Sequence, residues 1–422
     1  MAGQTITARG RVALAAGATV RWASRVTGRG AGAMIGGLVA MTLDHSILRQ
    51  LSAGRRTVVI TGTNGKSTTT WMTAAALGTL RAVATNAEGA NMDAGLVAAL
   101  AANPDAELAA LEVDEMHVPH VLDALIAVEP GTPGVPGVVV LLNLSRDQLD
   151  RVGEINTIER TLRAGLARHP NATVVANCDD ILMTSAAYDN ADVVWVAAGG
   201  SWSGDSVSCP RSGEVIVREQ NHWYSTGADF KRPDPHWWFD DETIYGPHGL
   251  ALPMRLALPG AANRGNATQA VAAAVALGAD PAAAVAAVSG VDEVAGRYRT
   301  VPIGEHTVRV LLAKNPAGWQ EALSMVDKQA AGVVIAVNGQ VPDGVDLSWL
   351  WDVEFEKFER TAVVAAGERG TDLAVRLGYA GVDHTLVHAT VAAIESCPPG
   401  HVEVVANYTA FLQLNRVLER SR

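Results

Sequence analysis

From about residue 54 onward, short apolar runs alternate with alanine-rich stretches of helical spacing. The runs at 57–61, 108–113, 137–144 and 172–176 predict strands, and their alternation with helices predicts a parallel sheet covered on both faces. Between about 200 and 250 the texture changes: Trp202, Trp223, Trp237 and Trp238 stand among prolines, glycines and polar residues, as in an inserted subdomain. Helical spacing returns at 262–288. A second series of apolar runs at 307–312, 332–337, 361–365 and 402–406 predicts another α/β domain. The expected divisions are an N-terminal arm, 1–53, a central domain, 54–298, carrying the insertion, and a C-terminal domain, 299–422.

At 422 residues and 44.1 kDa the chain exceeds one ordinary core, which agrees with two or three domains. A net charge of −11 argues against nucleic acid as the partner. Cys178, Cys209 and Cys397 are an odd, scattered set; they predict no disulfide framework and a reducing, cytoplasmic setting. No apolar run reaches 18 residues, so no bilayer span is expected. Residues 1–43 hold Arg9, Arg11, Arg21, Arg25 and Arg29 and no acidic residue. The arginines interrupt any signal-peptide core. This basic, partly amphipathic arm is expected either to pack on the central domain or to face an anionic membrane surface or a lipid pyrophosphate.

The segment Val58-Val59-Ile60-Thr61-Gly62-Thr63-Asn64-Gly65-Lys66-Ser67-Thr68-Thr69-Thr70 is an apolar run, a glycine-rich turn ending in Lys-Ser, and a helix-compatible stretch. In such a loop, backbone N–H groups point at phosphates, the lysine reaches the β and γ oxygens and the serine hydroxyl suits Mg²⁺. Gly62, Thr63, Asn64, Gly65, Lys66, Ser67 and Thr68 are therefore candidate ATP-binding residues, and ATP with Mg²⁺ is the expected ligand. The longer form of the loop has a glycine where Ile60 stands, so this is the shorter Gly-x-x-Gly-Lys-Ser form.

That form resembles the Mur ligase superfamily, and four further segments do so in order. Leu111-Glu112-Val113-Asp114-Glu115 resembles the stretch that supplies an acidic Mg²⁺ ligand. Asn143-Leu144-Ser145-Arg146-Asp147-Gln148-Leu149-Asp150-Arg151 resembles Asn…Asp-His-Leu-Asp-Arg. Gly260-Ala261-Ala262-Asn263-Arg264-Gly265-Asn266-Ala267 resembles a helix start whose second asparagine reads adenine, and Gly296-Arg297 resembles the hinge into the last domain. The resemblance implies a Mur ligase-type α/β fold: a central ATP-binding domain with a parallel sheet, then a C-terminal Rossmann-like α/β domain. It makes Ser67 and Glu112 the Mg²⁺ ligands and adds Asn266 and Arg297 to the nucleotide contacts.

Only about 60 residues precede Gly62, against roughly a hundred that hold the UDP-sugar in amino-acid-adding Mur ligases, so no UDP site of that kind is expected. Thr85-Asn86-Ala87-Glu88-Gly89-Ala90-Asn91-Met92, Lys314-Asn315-Pro316-Ala317-Gly318-Trp319, the segment from Asp346 to Glu356, and Asn407-Tyr408-Thr409-Ala410 resemble the MurT subunits of lipid II isoglutaminyl synthases. Many members of that family carry a four-cysteine zinc ribbon in the insertion. Here the corresponding positions are Cys209, Ser212, Ser225 and Ala228, and one thiolate does not make a structural zinc site, so no zinc is expected and the tryptophans are expected to hold the subdomain. His222 and His236 are read as packing or surface residues. No lysine lies between Lys66 and Lys231 to bridge a second Mg²⁺, Gln148 replaces a metal-binding histidine, and Leu311 replaces a nucleotide-binding aspartate.

The resemblance implies transfer of the γ-phosphoryl of ATP to the α-carboxylate of D-glutamate in the lipid II stem peptide, followed by amidation with ammonia to D-isoglutamine. It also implies a GatD-like glutaminase partner, whose Cys-His pair is completed by an aspartate lent from the C-terminal domain. Asp352 is the preferred candidate and Asp346 the alternative, with Trp349 and Trp351 expected to be exposed at the interface. The expected setting is the cytoplasm, at the inner face of the membrane where lipid II lies. Two other readings stay open: a folylpolyglutamate synthase-like ligase, against which the loop sequence Gly65-Lys66-Ser67-Thr68 speaks, and a non-catalytic ATP-binding scaffold of envelope assembly.

Overall fold

The computed structural model describes residues 6–26, 33–86, 90–126, 137–146, 155–200, 202, 204–292, 300–344, 346–358 and 362–420. They divide into two compact units. The second comprises 145–146, 258–260 and 300–420, and the first comprises the remainder.

The first unit begins with three helices, α1 (Ala8–Val26), α2 (Ala33–Leu43) and α3 (Ile47–Ser52). They precede a parallel six-stranded sheet of β1 (Arg56–Thr61), β2 (Val83–Thr85), β3 (Leu108–Glu112), β4 (Val138–Leu141), β5 (Thr173–Asn177) and β6 (Val193–Val196), in the order β2-β3-β1-β4-β5-β6. Strands covered on both faces read as continuous apolar runs, as Val58 to Ile60 and Val138 to Leu141 do. One face packs on α5 (Asp93–Ala102), α6 (Val118–Leu125), α7 (Ile155–Ala167) and α8 (Ile181–Ala187) through Leu96, Leu122, Leu162 and Met183. The other is covered by α4 (Lys66–Gly78) and α9 (Ala261–Ala276). The helical stretch expected at 262–288 is two helices, α9 and α10 (Pro281–Ser289). Gly278 turns the chain at φ 92°, Asp280 caps α10 by accepting from Ala283 N at 2.9 Å, and Pro281 cannot continue a preceding helix.

β1 lies between β3 and β4, and its chain leaves through α4 to β2 on one side, while β3 leads on to β4 on the other. The carboxyl end of β1 is thus the switch point at which open α/β sheets bind ligands. The insertion holds a hairpin, β7 (Ile216–Glu219) with β8 (His222–Ser225), and a small antiparallel sheet of β9 (Trp238–Phe239), β10 (Thr243–Gly246) and β11 (Leu250–Pro253). Its tryptophans do not hold it as a group. Trp223 packs with Phe230 (5.0 Å) beside Ile216 and Cys209 and donates to Cys178 O at 2.9 Å, whereas Trp238 stacks on Tyr245 at 5.3 Å.

The second unit is a sheet of β12 (Thr300–Ile303), β13 (His306–Leu312), β14 (Gly332–Ala336), β15 (Val363–Ala366), β16 (His384–Leu386) and β17 (Gly400–Ala406), ordered β12-β13-β17-β14-β15-β16, with only β12 antiparallel to its neighbour. One face packs on α11 (Pro316–Ser324), the 347–358 segment and α12 (Gly370–Tyr379), the other on α13 (Thr390–Glu395) and α14 (Tyr408–Arg420). Asn315 caps α11 by accepting from Gly318 N at 2.8 Å, and Pro316 opens it. The Lys314-Asn315-Pro316 signature is therefore a helix start.

Candidate functional site

The phosphate loop follows β1 directly. Gly62 has φ 142°, and a Cβ there would meet Leu142 Cβ at 2.8 Å and Asn143 O at 2.9 Å. Gly65 has φ 85°, and a Cβ there would fall 2.8 Å from Asn266 Oδ1. Neither position admits a side chain. Asn143, just past β4, ties the turn down: its carbonyl accepts from Thr63 N at 2.8 Å, its Oδ1 from Asn64 N at 3.0 Å, and its amide donates to Asn64 O at 2.9 Å. The α4 ladder begins with Thr69 N donating to Gly65 O. Helix geometry leaves the N–H groups of Lys66, Ser67 and Thr68 without an intrahelical carbonyl.

Lys66 folds back over the loop, donating to Gly62 O at 2.6 Å and Thr63 O at 3.3 Å and pairing with Glu115 at 3.2 Å. Burial alone would push its ammonium down, but Glu115, Glu112 and Asp114 outweigh that and hold it above the ordinary lysine value. Ser67 Oγ donates to Glu112 Oε2 at 2.8 Å. Glu112 ends β3, and its position is fixed by Asn86, which takes Glu112 N at 2.8 Å and gives to Glu112 O at 2.8 Å. Asn91 reaches the other carboxylate oxygen at 3.3 Å. Ser67 and Glu112 thus offer two hard oxygens side by side, the donor type Mg²⁺ takes.

The structure brings Gly62 to Thr68, Glu112 and Asn266 together, with Asn266 against Gly65. Arg297 and Gln148 lie outside the described residues. Sequence reasoning missed Glu115 as the partner of Lys66 and gave no role to Asn86 or Asn91; the only signal was the Thr85–Met92 segment itself. It also missed Asp180, which caps α8 and accepts from Leu144 N at 2.9 Å, and whose carboxyl burial pushes up to about 6.

In the insertion, Cys209 is buried with the Ser212 and Ser225 hydroxyls 3.5 Å apart beside it. Burial raises its thiol, but hydrogen bonds from Ser212, Arg211 and Ser225 outweigh this and hold it below the ordinary cysteine value. Among the described residues, one His/Cys/Asp/Glu group has metal-ligand spacing: Asp93, His117 and His120, with His120 Nε2 2.8 Å from Asp93 Oδ2.

In the second unit, Asp346 is exposed and accepts from Ser348 N at 2.8 Å, closing a turn. Asp352 is half-buried and faces Arg146 of the same unit at 3.5 Å. The segment between them is pinned by Arg376, a buried cation on α12 that donates to Leu350 O at 3.1 Å and Val353 O at 2.7 Å, pairs with Glu356, and lies 5.4 Å from the Trp351 and Phe355 ring centres. Trp351 is 56% exposed beside Tyr379, which is 77% exposed. Trp349 departs from expectation: it is half-buried, stacks on the buried Trp319 at 5.6 Å and packs against the core, because with three residues per turn the 3₁₀ segment 348–351 sets side chains two positions apart on different faces.

Residues 60–274 match the Mur ligase middle domain, and residues 312–411 match the MurT ligase C-terminal domain. The chain is 28% identical to a Streptococcus pneumoniae protein described as lipid II isoglutaminyl synthase (glutamine-hydrolyzing) subunit MurT, covering 92% of this chain and 93% of that one. A Staphylococcus aureus protein of the same description is 27% identical, with 95% and 96% covered. Among solved structures, a pseudomurein peptide ligase type C from Methanothermus fervidus is similar with a TM-score of 0.70 at 16% identity, over 90% of this chain and 81% of that one. A MurF ligase from Thermotoga maritima in complex with ADP gives 0.59 at 14%, over 90% and 83%. At such identities these structures speak for the fold. With the middle domain spanning half of its length and its phosphate loop intact, the chain belongs to the Mur ligase family and carries a MurT-type C-terminal domain.

Proposed function

We propose that this chain is the ATP-using ligase subunit of a glutamine amidotransferase complex that amidates the α-carboxyl of D-glutamate in the lipid II stem peptide, giving D-isoglutamine. The observation that carries the reading is the similarity to MurT subunits along almost the whole chain, including the C-terminal domain that a folylpolyglutamate synthase-like ligase would have no reason to share. A non-catalytic ATP-binding scaffold would keep the same loop and is separated from this reading by turnover, in the test below.

In the first step a substrate carboxylate oxygen attacks the γ-phosphorus of ATP, the bond to the β,γ-bridging oxygen breaks, and ADP leaves an acyl phosphate. In the second, ammonia attacks the carbonyl carbon, the bond to the phosphate oxygen breaks, and nitrogen sheds a proton to give the amide and inorganic phosphate. Phosphoryl transfer asks mainly for positioning and charge neutralisation. Lys66 supplies a cation to the β and γ oxygens, the first-turn N–H groups of α4 hold the phosphates, and Asn266 contacts the base. Ser67 and Glu112 would hold Mg²⁺, which when bound neutralises the charge on the phosphoryl oxygens. Asn86 and Asn143 keep Glu112 and the loop in register.

Ammonia comes from a partner in this reading. The Cys178 thiol is pushed up to about 12, chiefly by burial, and burial raises Cys397 as well, so neither is a nucleophile at neutral pH. His306 meets the Cys397 carbonyl, not its thiol, with Nε2 3.1 Å from Cys397 O. A GatD-like glutaminase would dock where Trp351 and Tyr379 are exposed, and Asp352, on the segment fixed by Arg376, would orient that partner's imidazole. Asp346 is the alternative. The chain would work in the cytoplasm on a lipid-linked substrate at the inner membrane face; no described helix is long and apolar enough to cross a membrane.

The test is co-expression with a GatD-like glutaminase, followed by mass spectrometry of lipid II incubated with ATP and glutamine. Conversion of one stem-peptide carboxyl to an amide is expected. A product extended by glutamate, or unchanged lipid II with an active glutaminase present, overturns the reading.

A further inference from the structure

The first two helices are inside out by the standard of a soluble protein. On α1 the buried positions are Gly10, Ala13, Gly17 and Ser24, while Ala8, Val12, Ala15, Thr19, Trp22 and Val26, spaced alternately by four and three, form one exposed stripe. On α2 the buried positions are Gly36, Gly37 and Ala40, and Met34, Ile35, Leu38 and Leu43 face outward. The small residues are needed inside. A Cβ on Gly17 would stand 2.5 Å from Gly36 O, and one on Gly37 would stand 1.9 Å from Ala94 O on α5, so glycine alone permits the two crossings. The large residues are left in solvent: Val12 is 65% exposed, Trp22 66%, Val26 67% and Leu38 60%. Packing on the central domain therefore accounts for the inner face and leaves the outer one unexplained.

We propose that this outer face of α1 and α2 is a membrane-contact surface that lies in the headgroup region of an anionic bilayer. An amphipathic interfacial helix presents apolar and tryptophan side chains to the acyl boundary with arginines beside them, and the acidic lipids supply the opposite charge. Both parts are present. Trp22 is the exposed aromatic of α1, Arg11 is exposed beside Val12, and the first 43 residues hold five arginines and no acid in a chain of net charge −11. A second copy of the chain is a poorer occupant, because pairing this face with itself would set arginine against arginine with no carboxylate to separate them. Arg9 is partly committed inside the unit, donating to Leu43 O at 2.6 Å, which leaves Arg11 and Arg21 as the residues to vary.

This surface deepens the proposed function by placing the enzyme where a lipid-linked substrate lies, but its test needs no turnover. The full-length protein is sedimented with large unilamellar vesicles of phosphatidylcholine alone or with phosphatidylglycerol. The expected result is binding to the anionic vesicles that weakens with salt. Trp22→Ser with Leu38→Gln should lower the partition coefficient at least tenfold, and Arg11→Gln with Arg21→Gln should lower it by about fivefold per charge on anionic vesicles only. Because all four positions lie outside the nucleotide site, ATP binding and the unfolding midpoint of each variant serve as folding controls. No sedimentation of the wild type, or equal sedimentation of the apolar double variant, overturns the proposal. So does a wild-type dimer that the apolar variant converts to monomer without any change in vesicle binding. A water-soluble short-chain lipid II analogue should be amidated equally by wild type and variants, so failure of vesicle binding and failure of the ligase reading are read separately.

Discussion

Ser67, on the first turn of α4, donates its hydroxyl proton to Glu112 at the end of β3, at 2.8 Å across 45 residues of chain. Two strands that neighbour in the sheet thereby place a hydroxyl and a carboxylate at the mouth of the phosphate loop, and the backbone of the acid is clamped by Asn86 rather than by its own strand alone.

Lys66→Ala should reduce ATP-dependent amidation by at least about a hundredfold, as removal of one preorganised charge donor does. The fold should survive, since the lysine contacts two loop carbonyls and Glu115 and no apolar core. Turnover with ATP measured beside thermal unfolding checks both halves. A fully active alanine variant ends the ATP assignment.

Asn86→Ala leaves the N–H and C=O of Glu112 buried without their partner, which should cost about 1–3 kcal/mol. The denaturation midpoint should fall, and the Mg²⁺ concentration needed for half-maximal turnover should rise. Unchanged Mg²⁺ dependence in a destabilised variant would confine Asn86 to a structural role.

The purified protein should hold no stoichiometric zinc, because Ser212, Ser225 and Ala228 stand where three thiolates would be needed. Metal analysis of protein prepared without chelators decides. One zinc per chain that persists in Cys209→Ser and disappears in His120→Ala would place it on Asp93, His117 and His120 instead.

If Asp352 serves the partner's glutaminase, Asp352→Asn should lower glutamine-dependent turnover by about 10⁴-fold, since an amide does not stabilise an imidazolium as a carboxylate does. Use of free ammonia should remain. Equal loss with glutamine and with ammonium chloride would move Asp352 into the ligase site or the fold, and normal glutamine use would pass the role to Asp346.

Asp180 gives the pH prediction. Its carboxyl titrates at about 6 when folded, against about 3.9 unfolded, so the folded state binds the proton more tightly. The resulting stabilisation is complete below pH 4 and is lost as pH rises through 6. Asp180→Asn keeps an acceptor for Met183 N without the titration, so its stability relative to wild type should rise between pH 4 and 7, by at most about 3 kcal/mol. Parallel stability curves would show that the carboxyl is solvated.

The long strands of both sheets were legible because Val, Ile and Leu run unbroken where a strand is covered on both faces. β2 and β16, three residues each, offer too few positions for a pattern, and in β6 only Val196 is buried, Val193, Val194 and Trp195 being partly exposed. The phosphate loop was legible because its chemistry is local. The clamp of Asn86 on Glu112 and the hold of Arg376 on Leu350 and Val353 were not, because each joins a polar side chain to distant backbone groups and leaves no spacing to find. Trp349 and Trp351 carry the same letter in one segment, and only the turn between them decides which packs against the core.

The partners that Lys66 holds set what nucleotide binding must exchange. With its ammonium on Gly62 O, Thr63 O and Glu115, the loop already has a counter-ion, and an arriving phosphate competes with that carboxylate instead of meeting a bare cation. In the proposed reading Glu115 holds the place of an anion. Swapping it for glutamine should therefore tighten nucleotide binding while loosening the loop itself, an opposition of affinity and stability located in one side chain.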